Sequence, residues 1–142
     1  MMTLVPVDGS QSSVEALKYA ARRRPNGQLL VLHVAPSGKP VDLERGRFLL
    51  EESRRTLRSI SAEVSVETRL EVGEPRSKVH EVATTEECDL VVMGAHGVNG
   101  LPHVDRVSAD ACEMTEDLQR PVVMVLPTGK GISAPAARPE AA

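Results

Sequence analysis

The chain predicts an α/β fold, a parallel sheet with helices packed on both faces. Two observations carry this expectation. Short Val- and Leu-rich runs alternate with amphipathic helical stretches in the order β-α-β-α-β-α-β-α-β, the signature of a parallel sheet with right-handed crossovers. Two predicted strands also end in polar, glycine-bearing turns: Asp8-Gly9-Ser10 after the first, and Gly94-Ala95-His96-Gly97-Val98-Asn99-Gly100 after the fourth. A strand that ends in glycines and feeds a helix turns backbone N–H groups and the positive helix end toward an anion. In open α/β sheets ligands bind beyond the carboxyl ends of the strands, where the strand order reverses. If the first and fourth strands are neighbours, both loops face one crevice.

Thr3 to Val7 (TLVPV) is short, apolar and β-branched, hence a buried strand. Pro6 is its weak point, because proline donates no ladder bond. Ser12-Ser13-Val14-Glu15 matches a capping box, with Ser12 as N-cap and Glu15 three residues on. Val14, Leu17 and Ala21 then share a helical face, Arg22-Arg23-Arg24 suits the negative helix end, and Pro25-Asn26-Gly27 stops the helix. Gln28 to Val34 is apolar nearly throughout, as expected of a strand covered on both faces. Leu43, Leu50, Leu57 and Ile60 mark one face of a long polar helix from about Val41 to Ile60. Val64 to Val72 alternates apolar and charged residues, a strand with one solvated face near a sheet edge. Pro75 suits the first turn of a helix whose apolar face is Val79, Val82 and Ala83. Leu90 to Met93 is the fourth strand, Val107, Ala111, Met114 and Leu118 mark the fourth helix, and Val122 to Leu126 is the last strand. The segment 127–142 (PTGKGISAPAARPEAA) has almost nothing to bury and reads as a disordered tail behind a single domain, 1–126.

Composition excludes several classes. With 142 residues the chain fits one domain. Tyr19 and Phe48 are its aromatic residues, so the core is built of Val, Leu and Ala and platforms for stacking bases are nearly absent. A net charge of −3 argues against a general DNA-binding role. No apolar run approaches the roughly 20 residues of a membrane span, and the N-terminus lacks a signal-peptide pattern. Cys88 and Cys112 form no CxxC and read as small hydrophobes, so a cytoplasmic protein is expected. His33, His96 and His103 lack HxH or HExxH spacing; exposed or phosphate-adjacent histidines are the expectation, with no metal site. Arg47, Arg54, Arg55 and Arg58 interleave with Glu44, Glu51 and Glu52, the pattern of an ion-paired, solvated face. No GxGxxG follows the first strand, and neither a Walker A loop nor GxSxG is present.

LVPVDGS at the N-terminus, VGEP in the middle, the MGAHGVNGL turn and the closing RPVVMVL occur in one order and spacing over residues 3–126. Together they resemble the universal stress protein family. The resemblance implies a Rossmann-like, adenine-nucleotide-hydrolase-like open sheet of five parallel strands in the order 3-2-1-4-5. It also implies homodimers paired through the last strand, Val122–Leu126, and a division between members that bind ATP and members that do not. The family's nucleotide motif is Gly, two residues, Gly, nine residues, then Gly followed by Ser or Thr. Gly94 and Gly97 match its first half; Val107 stands where the last glycine belongs, and Ser108 keeps the hydroxyl. Carried onto this chain, the motif implies nucleotide-binding residues at Pro6, Val7, Asp8, Gly9 and Ser10, at Val34, and at Met93, Gly94, His96, Gly97, Val107, Ser108 and Ala109. Mg²⁺ would accompany ATP.

Each residue also has a plainer use. Asp8 serves adenine or ribose, or else the turn; Ser108 serves a phosphate, or else caps the fourth helix. Valine at 107 disfavours φ > 0 and adds bulk, and Asp110, expected in the first helical turn, would compete with phosphate for the dipole. Two functions follow: a homodimeric stress-response module holding ATP or AMP between the first and fourth strands, or a nucleotide-free member acting through protein–protein contacts. No general base or metal carboxylate cluster is legible, so no catalytic residue is assigned and any ATP hydrolysis would be slow. An adenylate-forming ligase would need an SGGxDS-type loop, of which Asp8-Gly9-Ser10-Gln11-Ser12 is a faint echo.

Overall fold

A computed structural model describes residues 2–95 and 104–133, with 104–110 as backbone only. The elements run β1 (Met2–Pro6), α1 (Gln11–Arg23), β2 (Gln28–Ala35), α2 (Pro40–Ile60), β3 (Ser65–Val72), α3 (Pro75–Thr85), β4 (Leu90–Gly94), α4 (Val104–Leu118), β5 (Val122–Val125) and β6 (Gly131–Ser133). The sheet order is β3-β2-β1-β4-β5-β6. The first five strands are parallel and β6 is antiparallel to β5. The expected order is thus present, with a sixth strand added at its end. Gly131–Ser133 lies within the stretch that the composition assigns to a disordered tail; that expectation is corrected for these residues. One apolar residue, Ile132, is too weak a signal to announce a strand.

Alternation along the buried strands divides the core into two layers. Leu4, Leu30, Leu32, Val91, Val122 and Met124 point to the face covered by α3 and α4. Val5, Leu29, Val31, Val92 and Val125 point to the face covered by α1 and α2. Leu29 to Leu32 are all at most 1% exposed, as a strand covered on both sides requires. β3 is an outer strand, half-buried along most of its length, with Ser65, Glu67 and Val72 exposed.

The N-cap of α1 is Ser10, not Ser12. Its Oγ accepts from the Ser13 amide at 3.2 Å, and the Ser13 hydroxyl donates back to the Ser10 carbonyl at 3.0 Å. Glu15 turns outward to Gln11 and Lys18 instead of closing a box. Among the described residues, no helix is long and apolar enough to cross a membrane.

Pro6 fits because of where the ladders end. β1 pairs with β4 only at Thr3–Leu90 and Leu4–Val91. The next amide, Val7, donates to Leu32 on the β2 side at 2.8 Å. Successive N–H groups of a strand face opposite neighbours, so the missing donor of Pro6 falls on the β4 side, where no partner strand continues. β1 and β4 separate there, and the crevice begins.

Candidate functional site

Where β1 and β4 part, a cavity of about 490 Å³ opens at the carboxyl ends of the strands, a size typical of small-molecule sites. Its floor and walls are apolar: Leu32 and Val34 from β2, Met93 from β4, Val79 from α3, Met114 from α4 and Met124 from β5. Its rim is polar, with Asp8, Ser10 and Ser13 on one side and Glu74, Arg76 and Glu113 on the other.

The Asp8 side is built by local bonds. Asp8 Oδ1 accepts from the Ser10 amide at 2.9 Å, and the Asp8 amide donates to Ser13 Oγ at 3.4 Å. These bonds hold the loop through Gly9, whose φ of +87° is left-handed. Just before it, the Val7 carbonyl accepts from Nδ1 of the buried His33 at 2.8 Å. A carbonyl only accepts, so Nδ1 carries the proton. His33 is therefore an internal brace for this loop, not the exposed or phosphate-adjacent histidine expected from sequence. Gly94, on the opposite lip, lies directly against the first turn of α1.

The other side of the rim is electrostatic. Glu74 caps α3: Oε1 accepts from the Ser77 hydroxyl and amide, both at 2.8 Å, and Oε2 from the Arg76 amide at 3.0 Å. The Ser77 hydroxyl, then the two amides, hold the Glu74 carboxyl below the usual carboxylate range. A carboxylate of the chain itself thus occupies the positive end of α3. Arg76 bridges to α4, with Glu113 at 2.8 Å and Asp117 at 2.6 Å. Among the described residues, the charged side chains that line the cavity are Asp8, Glu74, Arg76 and Glu113, and Arg76 is engaged by Glu113.

Of the residues assigned from sequence, Pro6, Val7, Asp8, Ser10, Val34, Met93 and Gly94 line this cavity, and Gly9 lies in the loop behind its rim. His96, Gly97 and His103 fall outside the described residues. Val107, Ser108 and Ala109 lie inside α4, which starts at Val104. Ser108 is therefore too far into the helix to cap it. Valine at 107 sits in helical backbone, where no positive φ is asked of it, and Asp110 lies beyond the first turn. No site role was read from sequence for Ser13, Glu74, Arg76 or Glu113. VGEP located Glu74, but nothing in sequence links Arg76 to acids 37 and 41 positions away. Cys88 is a buried core residue and Cys112 is half-buried; Arg55 pairs with Glu52 as the charge pattern on α2 suggests. Among the described residues, no group of three or more His, Cys, Asp or Glu side chains is placed to hold a metal ion.

An open, mostly parallel sheet with an apolar cavity where β1 and β4 diverge defines a Rossmann-like α/β domain. The sequence model of the universal stress protein family matches residues 2–108, and the chain belongs to that family. It is 28% identical to a universal stress protein of Methanocaldococcus jannaschii, over 71% of this chain and 68% of that protein. Its fold is similar to that of the universal stress protein UspA from Lactobacillus plantarum (TM-score 0.66, 25% identity, 87% of this chain and 96% of that one). It is also similar to a universal stress protein in complex with cAMP (TM-score 0.70, 21% identity, 88% and 96%). A third is the universal stress protein from Archaeoglobus fulgidus in complex with dAMP (TM-score 0.66, 20% identity, 87% and 96%).

Proposed function

We propose that this chain is a cytoplasmic stress-response module that holds an adenine nucleotide in the cavity between β1 and β4. The observation that carries the reading is the cavity itself: apolar walls suited to a flat base, with Asp8 and Ser10 at the rim, at the point where the strand order reverses. The complexes of two structural neighbours with cAMP and dAMP support it. The Glu74 and Glu113 carboxylates on the rim favour a nucleotide of low charge, AMP over Mg²⁺-free ATP, because like charges across the mouth repel. Nothing in this reading calls for hydrolysis; the chain's residues bind and orient.

A second reading, a nucleotide-free member acting through protein contacts, is favoured by the Glu74 and Glu113 carboxylates on the rim. Calorimetric titration separates the two. AMP should bind the wild-type chain. If the chain takes up neither AMP nor ATP, the first reading fails and the second stands.

The family resemblance also pairs two copies through Val122–Leu126. In this chain the free side of β5 already carries β6. A homodimer of that kind belongs to the proposed function only with β6 moved aside.

A further inference from the structure

β5 is a four-residue apolar strand, VVMV, next to the end of the sheet. A strand of that kind with an open edge offers a row of unpaired N–H and C=O groups to any other strand. The chain closes this edge with its own C-terminal segment. A turn after Leu126 is held by the Gly129 amide donating to the Leu126 carbonyl at 2.8 Å, and the Leu126 amide donates to the Lys130 carbonyl at 2.8 Å. β6 then lies antiparallel on β5, pairing Val125 with Gly131, Met124 with Ile132 and Val123 with Ser133.

The docking is specific. Gly131 lies beneath the ring of Tyr19 on α1, so close that a Cβ would stand 2.5 Å from the ring. Arg23 stacks over the same ring at 4.8 Å and holds it in place. Ile132 is the apolar anchor, packed on the α3–α4 side of the core. The hold is also short, three residues with one half-buried apolar side chain.

Direction decides what β6 competes with. Two identical strands related by a two-fold axis pair antiparallel, the sense in which β6 lies on β5. A second copy's β5 and the chain's own β6 would therefore use the same row of backbone groups. We propose that β6 is an edge guard: seated, it keeps β5 from pairing with a second copy of this chain, and displaced, it opens β5 for a homodimer.

Full-length variants test this by sedimentation velocity. Bonded pairs alternate along an antiparallel ladder, so the Leu126–Lys130 bond makes Met124–Ile132 the next bonded pair. Gly131→Val with Ile132→Pro removes that bond, the anchor and the fit to Tyr19. Val123 and Ser133, one step beyond Met124–Ile132, form a non-bonded close pair, about 4.5 Å between Cα atoms and within disulfide reach. Val123→Cys with Ser133→Cys, oxidised, therefore locks β6 in place. The wild-type and locked chains should sediment as monomers, while the released variant doubles in mass as concentration rises. A released variant that keeps its circular dichroism spectrum yet stays monomeric overturns the proposal. So does a locked chain that dimerises, an outcome readable even if the released variant fails to fold.

Discussion

Gly94 at the end of β4 and Ser12 in the first turn of α1 touch so closely that a Cβ at position 94 would stand 2.7 Å from the Ser12 hydroxyl and carbonyl carbon. The obstacle is backbone as well as side chain, so no rotamer relieves it. Gly94→Ala should therefore destabilise the fold by about 1–3 kcal/mol, the usual cost of overpacking. Urea unfolding measures this; a midpoint equal to wild type would show that α1 can retreat. The glycine has a packing reason to be there whether or not a phosphate binds beside it.

Glu74 makes stability depend on acid. Its carboxyl is held below the usual carboxylate value, chiefly by the Ser77 hydroxyl. A group depressed on folding stabilises the fold above its unfolded value, and that contribution is lost as pH falls through the lower folded one. The stability difference between wild type and Glu74→Gln should be constant near neutrality. It should shrink once pH drops below the ordinary glutamate value of about 4.3. Urea unfolding across a pH series checks this; a difference that persists unchanged well below that value contradicts the capping role.

Arg76 ties α3 to α4 through Glu113 and Asp117, and all three side chains are about half exposed. Screening limits such a bridge, so Arg76→Ala should cost at most about 1 kcal/mol of stability. Its effect on charge is larger. Glu113→Gln should improve the binding of Mg²⁺-free ATP several-fold and that of AMP less. Paired titrations of the two nucleotides decide it; equal gains for both would remove the acidic rim as a source of selectivity.

Cys88 packs in the core, and burial pushes its thiol above the ordinary value. Alkylation of Cys88 by iodoacetamide at neutral pH should be limited by unfolding and should accelerate sharply in denaturant. Mass spectrometry of timed aliquots follows it. Rapid labelling of the native protein would mean that this part of the core opens readily.

The sheet was legible because its strands advertise themselves locally: Leu29 to Leu32 are apolar on both faces, and β3 alternates. Part of the cavity lining was legible through motif resemblance, at Pro6, Val7, Asp8, Ser10, Val34, Met93 and Gly94. The start of α1 was read two residues late. Ser12-x-x-Glu15 satisfies a capping pattern, but Ser10 is the first residue whose hydroxyl reaches an open amide. His33 was visible as a strand residue, yet its role depends on the Val7 carbonyl 26 positions away.

By itself, then, the sequence determined the elements from β1 to β5, since periodicity and turn chemistry act over a few residues, and its motifs carried the family resemblance that implied the strand order. Only the tertiary structure decided the rest. It showed that Pro6 falls where β1 and β4 part, that Arg76 is held by acids on another helix, and that β6 closes the edge of β5. The physical reason is common to all three: each depends on where a donor, a charge or a ring from a distant part of the chain comes to rest. Gly131 gives no local sign of the Tyr19 ring that it must fit beneath.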